Sequence, residues 1–197
     1  MINDYLKYKT SKLAIVFGKI YKDKVIIMVY VFSGMKFSRA KTQAALEMLE
    51  STKKKKGKIL FIDSEVSSYT ISRLNNINLD SLLIKHLRGV DIKNEVLNST
   101  NKFTDIIIDC GHGTNLKNAL EVADFLFVPF LKKDRGLWAI WTITNMAVAV
   151  DIAWDSNSEL QAYSYFISDK DIQVDEVALK ALRKNQYIKY TEKELIS

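Results

Sequence analysis

The sequence of 197 residues predicts a single α/β domain, 1–197, built on a mostly parallel sheet with helices on both faces. Two observations carry that prediction. Four apolar segments are continuous rather than alternating, which is how strands covered on both faces read. Helical patterns lie between them, and strand–helix–strand order implies right-handed crossovers joining parallel strands. The length suits one domain and suffices to bury a sizeable core.

The first strand is KVIIMVYVF, 24–32. A helix follows from Arg39, RAKTQAALEMLESTKK, with Ala44, Leu46 and Leu49 near one face and charges elsewhere. The lysine run 53–56 reads as its exposed end. KILFID, 58–63, is the second strand. The polar region 76–102 is assigned a short helix around 79–87. The third strand, DIIIDC at 105–110, leads into NLKNALEVAD, where Leu116, Ala119, Leu120 and Ala123 recur at helical spacing. DFLFVPF, 124–130, is the fourth strand, and RGLWAIWTITNMAVAV after it is a third, more apolar helix. Beyond Asp151 the pattern weakens to a strand around 162–167 and a final helix near 174–183.

Composition narrows the class. Cys110 is the only cysteine, which excludes an internal disulfide, and with two histidines it argues against a structural zinc site. One proline leaves little room for long unstructured linkers. The opening stretch MINDYLKYKTSK is polar and does not read as a signal peptide. The longest apolar run, 25–32, is too short to cross a bilayer. A cytoplasmic setting without stable membrane insertion is the expectation. The formal charge of +6 suits acidic partners such as nucleic acid, and a lysine-rich surface accounts for it equally well.

Ligands of parallel sheets bind beyond the carboxyl ends of the strands. After the first strand comes a basic loop ending in Lys41-Thr42 at a helix start. Asp63-Ser64-Glu65 follows the second, and Asp109-Cys110-Gly111-His112-Gly113 the third. Each residue also has an ordinary reading. A Lys-Thr pair opens many helices, aspartates commonly end strands, His112 suits a turn, and Cys110 reads as a small buried group. Trp138, Trp141 and Trp154 read as core or partner surface, with Trp138 and Trp141 on one helix face. The basic, mildly amphipathic end of the chain reads as a solvated helix, or less readily as a DNA or membrane contact.

In order and spacing, these motifs resemble the ParA/MinD family of deviant Walker A (P-loop) ATPases across 24–137. The family's loop, Lys-Gly-Gly-x-Gly-Lys-Thr, aligns with Lys36-Phe37-Ser38-Arg39-Ala40-Lys41-Thr42. Its Asp-x-Asp strand end aligns with Asp63-Ser64-Glu65. KFTDIIIDCGHG and NALEVADFLFVPF resemble the later strand, turn and adenine-side segments, and 134–136 occupies the loop that contacts adenine or a dimer partner.

The resemblance implies a P-loop NTPase-like fold with ATP and Mg²⁺ as cofactors. Backbone N–H groups of Ser38, Arg39 and Ala40, the helix dipole and Lys41 would hold phosphates, and the Thr42 hydroxyl would meet magnesium. By resemblance, Lys36 reaches the nucleotide across a homodimer, Asp63 orients the attacking water, and Asp109 holds magnesium through water. The departure is the loop, where Phe37, Ser38, Arg39 and Ala40 carry side chains at positions in which glycine supplies backbone freedom. Two functions follow. One is a ParA-like protein for partition or transfer of a plasmid or mobile element, whose ATP-promoted dimer binds DNA nonspecifically and answers to a DNA-bound adaptor. The other is a pseudo-ATPase, a scaffold or interaction subunit that has lost hydrolysis. A MinD-like membrane-positioning ATPase ranks third, since the C-terminal stretch is only mildly amphipathic and makes no convincing membrane anchor.

Overall fold

The computed structural model describes residues 27–34, 39–52, 57–65, 81–131, 137–167 and 176–191. Among them are the strands β1 (Met28–Phe32), β2 (Ile59–Asp63), β3 (Leu82–His86), β4 (Asp105–Asp109), β5 (Phe125–Leu131), β6 (Gln161–Ile167) and β7 (Lys189–Tyr190). The helices are α1 (Ala40–Thr52), α2 (Val90–Ser99), α3 (Thr114–Leu120), α4 (Leu137–Trp154) and α5 (Glu176–Lys184). The strands form one parallel sheet in the order β3-β2-β4-β1-β5-β6-β7.

Alternation along each strand divides the core in two. Tyr30, Phe32, Phe61, Ile107, Phe125 and Phe127 face α1. Alanines at 40, 44 and 45 let that helix lie close to the sheet, where the Phe32 and Phe127 rings stack at 5.1 Å. Val29, Val31, Leu60, Ile62, Ile106 and Ile108 point the other way, into a core completed by α2, α3, α4 and α5. Full burial of each such side chain contributes about 1.5–3 kcal/mol. The predicted α/β architecture, with helices on both faces, is what the chain adopts.

The helix expected around 79–87 is not formed: of that stretch 81–87 is described and holds β3, and the helix comes later, at Val90–Ser99. Leucines at 79, 82, 83 and 87 mimic a helical stripe. β3 is an edge strand, partly exposed and paired only to β2, so it lacks the fully apolar run of the central strands. Pairing with β2 is a long-range contact that local spacing cannot register. The helix α2 buries Ile92, Val96 and Ser99 among polar residues, a thin signal. β7, with two residues, carries none.

Trp138 and Trp141 are surface residues, 66% and 51% exposed, with their rings edge-on at 6.3 Å. Trp154 sends its indole N–H to the Leu160 carbonyl at 3.0 Å. Among the described residues, α4 alone is long and apolar enough to cross a membrane by length and composition. Its Ala139, Ile143, Met146, Ala147 and Val150 pack into the sheet's core. The stretches 24–26, 53–56 and 134–136 singled out above lie outside the described residues.

Candidate functional site

Register builds the site. Phe32 of β1 pairs with Asp109 of β4, Asp109 with Asp63 of β2, and Asp63 with His86 of β3. Four strand ends therefore line up along one carboxyl edge. At the same edge α1 begins, its first turn closed by the Gln43 N–H on the Arg39 carbonyl at 2.9 Å.

That first turn places Lys41 and Thr42 under the strand ends, both buried. The Thr42 hydroxyl donates to Asp109 Oδ2 at 2.6 Å. Lys41 Nζ donates to the other oxygen, Oδ1, at 3.2 Å and to Glu65 Oε2 at 2.6 Å. One carboxylate thus holds both residues of the Lys-Thr pair.

Glu65 reaches the lysine across Gly111. A Cβ at Gly111 would lie 2.8 Å from Glu65 Oε1 and 2.9 Å from its Cγ, so the missing side chain makes the approach feasible. The turns after β2 and β4 are stitched together. The Gly111 N–H donates to Ser64 Oγ at 2.8 Å, the Ser64 N–H to the Asp109 carbonyl at 3.1 Å, and Asn115 Nδ2 to the Ser64 carbonyl at 3.3 Å. Gly113, at φ 66° and ψ −130°, takes a positive-φ conformation that glycine adopts readily, and it turns this loop into α3. Asp63 is fully buried. Its Oδ1 accepts the Glu65 N–H at 3.0 Å, and its Oδ2 lies 3.6 Å from His86 Nδ1.

Burial alone would favour a neutral Lys41. The Asp109 and Glu65 carboxylates outweigh it and hold the ammonium above the usual lysine range. Asp109 is raised, by burial first, with Lys41 and Thr42 opposing and Asp63 adding to the rise. Burial pushes the Cys110 thiol up to about 12, so it is an inert core group rather than a nucleophile.

The chemistry of this edge can be read from its charges. The Lys41 ammonium meets the carboxylates of Asp109 and Glu65, with Asp63 at the same strand edge, so among the described residues carboxylates gather where a polyphosphate would sit and a cation accompanying it would offset their repulsion. A hydroxyl and a carboxylate side by side are hard oxygen donors of the kind Mg²⁺ takes. Among the described residues no group of three or more His, Cys, Asp or Glu side chains is arranged to hold a metal ion. A magnesium ion here would draw its remaining ligands from water and phosphate, as is usual for that ion. The Ser33 hydroxyl, buried just past the end of β1, has no hydrogen-bond partner among the described residues. These residues fit a magnesium–polyphosphate ligand.

Of the residues singled out from sequence, Lys41, Thr42 and Asp109 meet directly, and Asp63 stands at the same edge. Arg39 and Ala40 sit at the start of α1, Arg39 exposed and Ala40 buried. Lys36, Phe37 and Ser38 lie outside the described residues. Sequence reasoning missed Glu65 as the nearer partner of Lys41, along with His86, Ser64 and Asn115. The sequence placed Glu65 at the ligand edge, in Asp63-Ser64-Glu65, but its pairing with Lys41 follows from the register of β2 against β4, which spacing along the chain does not give.

Neither a protein-family model nor a curated protein sequence matches the chain. Solved structures do match its fold. A plasmid partition protein from Borrelia burgdorferi aligns at a TM-score of 0.55 and 15% identity, over 86% of this chain and 91% of that one. The MinC:MinD cell division complex of Aquifex aeolicus aligns at 0.54 and 14%, over 85% and 82%. Cobyrinic acid a,c-diamide synthase from Mycobacterium smegmatis, with a bound ATP analog and magnesium, aligns at 0.58 and 16%, over 80% and 78%. The chain has the fold of the ParA/MinD-type P-loop ATPases.

Proposed function

We propose that the chain is a ParA-like, nucleotide-dependent protein whose carboxyl edge binds ATP with Mg²⁺. The observation that carries this reading is the joint engagement of Lys41 and Thr42 by Asp109 at the start of α1. Residues 67 and 68 apart meet there in a buried cluster that combines a cation, a hydroxyl and a carboxylate. An ordinary helix start has no need of it.

In this reading Lys41 neutralises phosphate charge, and the backbone of Ser38, Arg39 and Ala40 approaches the phosphates at the positive end of α1. Thr42 and Asp109 hold the magnesium ion, which would supply charge neutralisation at the phosphates. Asp63 orients a water for in-line attack, and its hydrogen bond to the Glu65 N–H fixes its carboxylate. Lys36 reaches the nucleotide of a partner copy in a homodimer. The partners are nonspecific DNA, attracted by the basic balance of the chain, and a DNA-bound adaptor protein; the process is partition or transfer of a plasmid or mobile element in the cytoplasm.

One observation favours a second reading, a pseudo-ATPase that keeps the fold as an interaction scaffold. Phe37, Ser38, Arg39 and Ala40 stand where glycines would let the backbone close on phosphate. Each non-glycine residue forced into such a conformation costs on the order of 1–3 kcal/mol.

Turnover separates the two. Phosphate release from MgATP, measured with and without duplex DNA and with Asp63→Asn as control, should show slow hydrolysis that the substitution abolishes. DNA binding should weaken steeply as salt rises. Nucleotide binding without any turnover would leave the scaffold reading. Absence of both would reject the nucleotide-dependent role.

A further inference from the structure

The shortest polar contact of Lys41 is to Glu65, at 2.6 Å, against 3.2 Å to Asp109. We infer that Glu65 is an internal competitor for the phosphate-binding lysine, a latch that occupies Lys41 until a nucleotide displaces it. The inference rests on the reading of this edge as a nucleotide site.

A carboxylate oxygen and a phosphate oxygen make the same kind of charge-assisted hydrogen bond to an ammonium. Lys41 has three donors, and Glu65 and Asp109 take two of them. The two carboxylates differ in their freedom to leave. Asp109 is 1% exposed and tied to the Thr42 hydroxyl. Glu65 is 33% exposed, and water is at hand to solvate its carboxylate once it swings out.

The backbone under Glu65 is held in place from two directions. Asp63 Oδ1 accepts its N–H, and the preceding Ser64 is bonded to both Asp109 and Gly111. Gly111 leaves the space through which the side chain reaches the lysine. The result is a preorganised contact that lowers the fraction of molecules ready for phosphate, and so lowers apparent affinity by that fraction. Glu65 also adds a third negative charge facing an incoming triphosphate.

Two substitutions release the latch by different routes. Glu65→Gln removes the charge and keeps the shape. Gly111→Ala keeps Glu65 and drives its side chain off, because the new Cβ would fall 2.8–3.3 Å from it; the Gly111 backbone is not left-handed, so alanine is tolerated there.

The experiment is titration of the full chain and both variants with MgATP. Each variant should bind on the order of tenfold tighter than the native protein, the effect of losing one charge-assisted competitor. Adding Lys41→Ala to Glu65→Gln should cancel the gain. Native binding that depends on Lys41 but is unchanged by both substitutions would overturn the latch and leave the nucleotide reading standing. Weaker binding in Glu65→Gln would also overturn it, marking Glu65 as a group that helps hold the ligand. No MgATP binding by the native protein or either variant at millimolar concentration would overturn both.

Discussion

Thr42 and Asp109, 67 residues apart in the chain, share a buried hydrogen bond of 2.6 Å from hydroxyl to carboxylate. It joins the first turn of α1 to the end of β4 and gives the carboxyl edge its fixed point. Lys41 and Glu65 are arranged around it.

Removing the Thr42 hydroxyl leaves a buried carboxylate oxygen without its donor. Thr42→Ala should lower stability by about 1–3 kcal/mol, read from urea unfolding midpoints, while Thr42→Ser should restore most of the loss. Equal midpoints for Ala and Ser would show that the hydroxyl contributes nothing.

Lys41 balances the buried Asp109 carboxylate, so its loss should be felt more. Lys41→Met should destabilise by about 3–5 kcal/mol at neutral pH, the usual consequence of stranding a buried charge. Asp109 is already raised in the native protein, and without Lys41 it should rise further. A folded-state value above the unfolded one favours the fold at low pH and is lost as pH climbs through it. The penalty of Lys41→Met should therefore shrink as pH falls toward 3.8, the carboxyl's ordinary value. A constant penalty would contradict the pairing.

The native protein has the opposite limit. Lys41 is raised above 10.5, so its stabilising pair is intact below that value and is lost as pH rises through the folded-state value. Chemical unfolding above pH 10.5 should show falling stability, and Lys41→Met should show a smaller fall.

Cys110 should be silent in the folded state. Its thiol is fully buried and pushed up to about 12. Iodoacetamide at pH 8 should leave native protein unmodified and alkylate it fully in denaturant. Rapid native labelling would place Cys110 at an open surface.

The parts of this molecule legible in the sequence are those in which local pattern and tertiary burial agree. ILFID and DIIID read as strands because both of their faces are covered, so no polar residue interrupts them. Asp63 and Asp109 stood out because they end those runs at the ligand edge of a parallel sheet. β3 failed the same test for a physical reason: an edge strand has one neighbour and keeps polar residues such as Lys85 and His86. The Lys41–Glu65 pair was hidden differently. It depends on β2 lying beside β4 and on a side chain passing over Gly111, neither of which spacing along the chain encodes.

The measurement that bears most directly on the account is calorimetric titration of the full chain with ATP, with and without magnesium. Lys41→Ala, shown to be folded by circular dichroism, is the control. The expected result is saturable binding with magnesium, weaker binding without it, and none in the variant. No binding by the native protein at millimolar MgATP, or binding indifferent to Lys41, would contradict it.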